Sequence, residues 1–286
     1  MAIVLCADST CDLPAEVIEE YQIHTMPYHI MLEDKEYIDN VNITPEEIYR
    51  VYYDRKNLPK TSAINAGEYL DFLRPFVEAG DEVIHFCLGH ALSSSYQNCV
   101  LAREELGHVY PIDSCNLSSA VGLQVMDAGE MIREGKSAEE IRDYFKENHQ
   151  CYHASFVIDT LDFLRASGRC SSVAAIATSL LNIRPGIEVD NSSGGMNVGK
   201  KYRGSTEKVL LKYVKDKLNA YDDIITDKVF ITDSGIEDEI RDMVEKAVLE
   251  TIPFKKVYHS TASCTISCHC GPRTLGVLFV TKTPQK

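Results

Sequence analysis

The sequence lacks a surplus of basic residues. Its 286 residues include 29 lysines and arginines against 43 aspartates and glutamates, a formal net charge of −14 at pH 7. A protein that binds a phosphate backbone needs positive charge to replace condensed counterions, so this balance argues against nucleic acid as a partner. It also opposes docking of the whole surface on anionic lipid. One small basic group is an exception to this argument, and it consists of Lys200, Lys201 and Arg203.

Long apolar runs are also missing. No stretch approaches the ~20 apolar residues that a membrane span requires. The opening residues MAIVLCADST have no basic region of the kind that begins a signal peptide. The ten cysteines show no framework spacing, which is typical of reduced thiols. We therefore expect a cytoplasmic protein with no stable membrane insertion.

The chain has no internal repeat and no glycine-rich phosphate loop of the P-loop or dinucleotide type. We therefore expect that it does not bind ATP itself. What is present is ordinary globular composition, with 44% hydrophobic and 25% charged residues. The length is sufficient for two compact α/β domains.

Strand and helix patterns alternate through the first half of the chain. Ala2–Ala7, Val83–Leu88 and Val109–Asp113 are buried-strand runs, and helix patterns lie between them. Thr44–Glu47 is a capping box with proline at the first helical position, which predicts a helix to about Asp54. This alternation predicts a mostly parallel sheet that is covered on both faces.

The second half follows a different pattern. Tyr152–Ile158 and Ile183–Val189 are predicted strands around an alanine-rich helical stretch, and Met196–Tyr202 is the expected antiparallel partner of the second. The prediction is an α/β fold with two α/β domains, residues 1–151 with a mostly parallel sheet and residues 152–286 with a mixed sheet.

Three predicted strands end in the same pair of residues: Asp8-Ser9, Asp113-Ser114 and Asp233-Ser234. Ligands of open α/β sheets lie beyond the carboxyl ends of strands, so these aspartates are candidates for metal binding or acid–base work. The simpler interpretation is that they cap the following turns. A metal-dependent phosphohydrolase that uses Asp8, Asp12 and Asp113 is the alternative function. The segment Asp8-Ser9-Thr10 lacks the second aspartate, two residues after the first, that a haloacid dehalogenase loop would show.

Two hydroxyl-rich segments are more informative. Lys60-Thr61-Ser62 is one, and Leu92–Gln97, which contains Ser93 and Ser94, lies between a buried strand and a helix. Its hydroxyls and amides therefore face the helix N-terminus, which favours an anion. Thr61 could add a hydroxyl from a neighbouring loop. The alternative is that Ser93 is only a helix cap.

Two further groups of residues could form binding sites. The stretch containing Ala174, Ile176, Ala177 and Leu180 leaves room either for a close helix neighbour or for a slender ligand. The residues Cys264, Cys268, His269 and Cys270 suggest zinc, but their spacing does not match that of zinc sites, so we predict no metal. His269, before Gly271-Pro272, is predicted to be a polar group on a loop.

Taken in order, these segments resemble the DegV family. The motifs are Asp8-Ser9, Asp12-Leu13-Pro14, Lys60-Thr61-Ser62, Leu92-Ser93 with Tyr96-Gln97, Asp113-Ser114, Gly168-Arg169, Arg184-Pro185, Arg203, and His269-Cys270-Gly271-Pro272 with Leu275-Gly276. They run from the first predicted strand to the last, so the resemblance covers essentially the whole chain.

The resemblance implies that a long-chain fatty acid is buried between two α/β domains, with no cofactor. It further implies a lipid-binding subunit without catalysis of its own, which presents the fatty acid carboxylate to a separate ATP-dependent fatty acid kinase subunit. By resemblance the carboxylate is bound by Thr61, Ser93 and Ser94. The head-group or kinase-facing residues are Arg169, Arg203 and His269, and the acyl tunnel is lined by Ala174, Ile176, Ala177 and Leu180.

The sequence departs from the family pattern at three places. Ser93-Ser94-Ser95 replaces the usual Ser-Gly-Thr, Gly89-His90 stands where two serines are usual, and Arg273 replaces a glycine after proline. These departures bear on the head-group geometry and on pairing with a kinase rather than on the fold.

Overall fold

The computed structural model describes residues 2–175 and 183–284. The described strands are β1 (Ile3–Asp8), β2 (His24–Met26), β3 (His29–Leu32), β4 (Lys35–Ile38), β5 (Lys60–Ser62), β6 (Glu82–Cys87), β7 (Val109–Asp113), β8 (Tyr152–His153), β9 (Ser155–Val157), β10 (Ile183–Val189), β11 (Met196–Arg203), β12 (Lys228–Asp233), β13 (Lys256–Thr261) and β14 (Leu275–Val280). The described α-helices are α1 (Ala15–Glu20), α2 (Pro45–Arg55), α3 (Ala66–Glu78), α4 (Ser95–Leu106), α5 (Ser119–Arg133), α6 (Ala138–Asn148), α7 (Asp162–Ser167), α8 (Thr206–Leu218), α9 (Asp238–Thr251) and α10 (Cys264–Cys270).

The first sheet is parallel throughout, in the order β2-β1-β6-β7. Leu5 lies beside Ile84, and Phe86 beside Ile112. Every residue of β6 after Glu82 is buried, as expected for a strand of a covered parallel sheet. The parallel first sheet predicted from the alternating pattern is confirmed.

The second sheet is mixed. Its order is β11-β10-β9-β14-β12-β13, and β8 also pairs with β14. β12 and β13 are parallel, whereas the other pairs are antiparallel. The predicted hairpin partner is present, since Ile187 lies opposite Val198. The α/β fold with a mixed second sheet is therefore confirmed.

A third sheet was not anticipated from the sequence. β3 lies between β4 and β5, and all three strands are antiparallel. The short strand β5 holds Thr61 opposite Ile30. α10 packs against this sheet and against α2, so Thr61 faces a segment from the far end of the chain.

The interpretation of His269 as a loop residue is wrong. His269 lies in α10, whose first turn is capped when the Ser263 hydroxyl accepts from the Ile266 amide at 3.4 Å. The helix ends at Gly271, where φ is +76° and a Cβ would lie 2.8 Å from the Phe163 ring. Only glycine fits this turn without a shift of its neighbours.

Buried side chains run continuously from one half of the chain to the other. The largest buried cluster includes Phe86 and Ile112 of the first sheet and Phe230 and Leu278 of the second. The strands of the two sheets do divide near Cys151, so residues 1–151 and 152–286 remain the predicted domains. No helix within residues 2–175 and 183–284 is long and apolar enough to cross a bilayer.

Asp12 is a cross-link between the two halves rather than a helix cap. α1 begins only at Ala15, and the Asp12 carboxylate accepts from the Ser118 hydroxyl and, at 2.9 Å, from the Ser263 amide. Burial raises the pKa of Asp12 to about 7, although both hydrogen bonds oppose the rise.

Candidate functional site

Three hydroxyls meet at the start of α4. The Ser93 oxygen lies 2.9 Å from the Ser95 oxygen and 3.3 Å from the Tyr28 oxygen, and the Ser95 amide donates to Ser93 at 3.2 Å. Ser93 therefore satisfies a helix amide, as the cap interpretation predicts. Its position at the helix start, where free amides and the helix dipole favour negative charge, also fits the anion site.

Ser95 belongs to this cluster, and sequence analysis missed it. Its side chain is fully buried, accepts from the Ile64 amide at 3.2 Å and lies 2.7 Å from the Tyr28 oxygen. Ser94, the predicted carboxylate ligand, is exposed and makes no side-chain cap bond. A run of three serines does not reveal which hydroxyl points inward, because that depends on the direction of the helix.

A buried carboxylate supports the hydroxyls. Asp8 is fully buried at the end of β1, and one of its oxygens accepts from the Tyr69 hydroxyl at 2.7 Å and lies 2.9 Å from His85 Nε2. The other oxygen accepts from the Leu88 amide at 2.9 Å and from the Tyr28 hydroxyl at 3.2 Å. Four partners match the capacity of an ionised carboxylate, which only accepts.

Tyr28 connects Asp8 to the serines. Burial, with the charge of Asp8 as the second cause, raises the pKa of Tyr28 well above its ordinary value. The phenol is therefore neutral and has one proton to donate. The Tyr28 hydroxyl is placed to donate to Asp8 at 3.2 Å, to Ser95 at 2.7 Å or to Ser93 at 3.3 Å, so it joins the carboxylate to both serines. The Ser93 and Ser95 hydroxyls lie within hydrogen-bond distance of each other, and either can donate.

Thr61 and His269 form the second part of the site. Their side chains lie 2.8 Å apart, from Oγ1 to Nε2, although 208 positions separate them in the sequence. Burial and, as the second cause, the charge of Arg169 lower the pKa of His269 to about 4. The imidazole is therefore neutral near pH 7. Its Nδ1 atom is buried and has no hydrogen-bond partner among the described residues.

A narrow cavity of about 50 Å³ reaches His269. Its surface is mainly apolar, with a few buried hydroxyls such as Thr232. The cavity is lined mostly by the second half of the chain, with Leu117 and Ser118 from the first half, and its apolar walls include Phe156, Leu164, Met196, Ile266 and Leu278. Of the predicted tunnel residues, Ile176, Ala177 and Leu180 lie outside the described residues, and only the backbone of Ala174 is described.

The two predicted arginines differ in their positions. Arg169 is exposed, donates to the Leu92 carbonyl at 3.5 Å and is close enough to His269 to influence its pKa. Arg203 is exposed at the end of β11, with its backbone opposite Ile183. The structure thus brings Arg169 to the hydroxyl site, and within the described part of the chain no hydrogen bond joins Arg203 to it.

The geometry does not support the metal-dependent alternative. Asp8, Asp12 and Asp113 belong to no common cluster of possible metal ligands within residues 2–175 and 183–284. Asp8 and Asp12 are already occupied by the hydrogen bonds described above. The α10 cysteines Cys264 and Cys268 likewise join no such cluster in the described ranges.

The comparisons with known proteins agree with this fold. A family model described as "Uncharacterised protein, DegV family" matches residues 2–282, and the chain therefore belongs to the DegV family. It is 28% identical over 291 residues to a DegV domain-containing protein of Clostridium perfringens, covering 99% of this chain and 98% of that protein. It is 26% identical over 288 residues to Protein DegV of Bacillus subtilis, covering 99% and 100%.

Several solved structures of similar proteins are described as those of fatty acid-binding proteins. A DegV family protein from Thermus thermophilus, described by its fatty acid binding, matches with a TM-score of 0.86 and 26% identity over 98% of this chain and 100% of that one. A stearic acid-binding protein from Eubacterium ventriosum matches with a TM-score of 0.86 and 25% identity over 99% of both chains. The DegV fatty acid binding protein of Bacillus subtilis matches with a TM-score of 0.83 and 25% identity over 99% and 100%.

The structure explains one departure from the family pattern. Arg273, where a glycine is usual, has φ of +58°, in the left-handed region that favours glycine. Its guanidinium forms an ion pair with Glu237. Gly89 is constrained differently, because a Cβ there would lie 2.8 Å from the Asn116 amide nitrogen.

Arg273 provides a direct test of this strain. Arg273→Gly and Arg273→Ala both remove the ion pair with Glu237, but only glycine relieves the left-handed backbone. We expect the glycine variant to be more stable than the alanine variant by about 1 kcal/mol. Urea unfolding of both variants measures the difference, and equal midpoints would show that the backbone at this position is not strained.

Proposed function

We propose that the protein binds one long-chain fatty acid, with the carboxylate at Thr61 and Ser93 and the alkyl chain in the apolar cavity beside His269. The cavity of about 50 Å³ is smaller than such a chain, so it widens on binding. The observation that carries this proposal is the mainly apolar cavity that reaches His269, whose Nε2 atom lies 2.8 Å from Thr61 Oγ1. The fatty acid ligands of the related T. thermophilus and E. ventriosum proteins support it.

The alkyl chain supplies the affinity. Burial of each CH₂ group contributes roughly 0.8 kcal/mol, so a dozen methylenes give about 10 kcal/mol before the costs of association. The predicted tunnel residues Ala174, Ile176, Ala177 and Leu180 complete the apolar walls in this proposal. The head group then needs orientation more than a strong ion pair.

Neutral groups orient the carboxylate. Ser93 donates its hydroxyl at the helix start, Thr61 donates from β5, and His269 stays uncharged because it is buried. Ser94, which is exposed just before α4, would contribute from the solvent side. Hydroxyl donors satisfy a carboxylate without neutralising it, which leaves one oxygen available as a nucleophile.

The second part of the proposal concerns a partner. The protein presents the carboxylate to an ATP-dependent fatty acid kinase subunit in the cytoplasm and performs no catalysis itself. Arg169 and Arg203 are exposed cations, and Lys201 adds charge beside Arg203. Arg203 would offset the negative charge that develops as the acyl phosphate forms, as cationic groups do in other phosphoryl-transfer sites, and the neutral His269 would act there as a hydrogen-bonding group.

Retention of lipid through purification tests the binding site. Mass spectrometry of an organic extract should find about one fatty acid per chain, and its acyl length identifies the ligand. Ser93→Ala and Thr61→Val should each weaken fatty acid binding by about 10- to 100-fold, because each removes a hydrogen bond to a charged group.

Ser62→Ala is the matched control, since Ser62 is the exposed neighbour of Thr61 on β5. Its affinity should equal that of the unchanged protein. Full affinity in both site variants would contradict the placement of the carboxylate, whereas an extract without lipid would contradict fatty acid binding itself.

Variants of two tyrosines distinguish an effect on the position of Ser93 from an effect on the stability of the fold. Tyr28→Phe and Tyr69→Phe each remove one hydroxyl donor from Asp8, so each should destabilise the protein by about 1–3 kcal/mol. Only Tyr28 also contacts Ser93 and Ser95. We expect Tyr28→Phe to weaken fatty acid binding several-fold and Tyr69→Phe to leave it unchanged. Equal affinities in a binding titration would exclude a role for Tyr28 in positioning Ser93.

Arg203→Ala tests the kinase-facing role. Because Arg203 lies on the surface, we expect unchanged fatty acid binding and reduced phosphorylation of the bound acid by a fatty acid kinase subunit. Lys246→Ala, which removes an exposed charge on α9, should change neither property. Loss of lipid binding in Arg203→Ala would place this residue in the binding site instead.

A further inference from the structure

A second group of side chains lies beside the carboxyl ends of β6 and β7. His90, Asp113 and Cys115 bring one possible ligand atom each to within 4.8 Å of one another. His90 Nδ1 is 2.6 Å from an Asp113 oxygen and 4.0 Å from the Cys115 sulfur. These residues take no part in the proposed fatty acid site.

Asp113 is held in a fixed orientation. Its Oδ1 atom accepts from the backbone amides of His90 at 3.1 Å and Cys115 at 3.0 Å. Its Oδ2 atom is therefore directed toward the His90 ring and is free of backbone contacts. Carboxylates that bind metals are typically oriented by such outer hydrogen bonds.

The other two residues are placed on either side of this oxygen. Cys115 has φ of +48°, a left-handed conformation that a cysteine rarely adopts without a compensating contact. The His90 side chain is 54% exposed, so the cluster opens to solvent on one side.

We propose that His90, Asp113 and Cys115 bind one zinc ion and leave a fourth position open to water. Imidazole nitrogen, carboxylate oxygen and thiolate sulfur are the ligand types that zinc takes in proteins. One thiolate and one carboxylate balance the charge of Zn²⁺, and a protein of net charge −14 attracts cations.

The distances fit this assignment after a small movement. Nitrogen and sulfur ligands of a tetrahedral zinc lie about 3.5 Å apart, and nitrogen and oxygen ligands about 3.3 Å apart. The sulfur is therefore nearly in place at 4.0 Å. The hydrogen-bonded pair of His90 and Asp113, at 2.6 Å, has to open by a fraction of an ångström, and the exposed imidazole is free to move.

The other cluster of possible ligands is unsuitable. Asp8, His85 and Cys87 are also close together, but all three are completely buried. The oxygens of Asp8 are already occupied by the four partners described above. A metal there would have to break a satisfied network, whereas a metal at the His90 cluster displaces the contacts of the exposed His90 ring, at 2.6 Å to Asp113 and 4.0 Å to Cys115.

Zinc titration of the full chain against a colorimetric zinc chelator tests the proposal. We expect one zinc per chain, and a loss of affinity of about 100-fold or more in His90→Ser, which restores the residue usual in the family. His149→Ser changes a neighbouring histidine of the same surface cleft and should have no effect. Unchanged affinity in His90→Ser, or substoichiometric zinc in the unchanged protein, would overturn the proposal.

Cobalt substitution gives an independent readout. Co²⁺ bound by a thiolate has a charge-transfer absorption band, which we expect in the unchanged protein and not in Cys115→Ser. A band that persists in Cys115→Ser would assign the metal to another cysteine and contradict the proposed ligand set. Fatty acid retention by each variant reports separately on the proposed function, because none of the three ligands contacts Thr61 or Ser93.

Discussion

The buried carboxylate of Asp8 is the constraint on which the candidate site depends. A buried carboxylate is tolerated only when donors satisfy it, and here the four donors come from three separate segments of the first half of the chain. Satisfying Asp8 fixes the phenol of Tyr28, and Tyr28 in turn fixes Ser95 and Ser93. The position of the Ser93 hydroxyl is thus set, through Tyr28, by the buried carboxylate of Asp8.

The site combines this rigid cluster with a contact between distant segments. Thr61 comes from a three-residue strand of a small sheet, and His269 comes from a short helix near the end of the chain. Asp12, from the segment after β1, also holds the start of α10 through its bond to the Ser263 amide. The head-group site and the apolar cavity therefore exist only when both halves of the chain are packed against each other, which suits a ligand that is buried between them.

Local patterns in the sequence predicted most of the elements, because their signals are local. The capping box at Thr44–Glu47 and the apolar run of β6 are examples, and both are confirmed. Sequence analysis could not find Tyr28 or Ser95, since their roles depend on bonds to residues more than 60 positions apart in the chain. It placed His269 on a loop because the Gly271-Pro272 pair is typical of a turn. The helix that contains His269 is only seven residues long, which is too short to give a clear helical pattern. The motifs resembling the DegV family supplied Thr61 and Ser93, which no local pattern assigns to one site.

In the proposed complex the fatty acid carboxylate accepts hydrogen bonds from the hydroxyls of Thr61 and Ser93 at the end of an apolar cavity. A crystal structure of the purified protein with its fatty acid tests this most directly. We expect a carboxylate oxygen within about 2.6–3.2 Å of Ser93 Oγ and of Thr61 Oγ1, with the alkyl chain running past Phe156 and Leu278. A carboxylate paired with Arg169 at the surface, or a head group at the opposite end of the cavity, would contradict it.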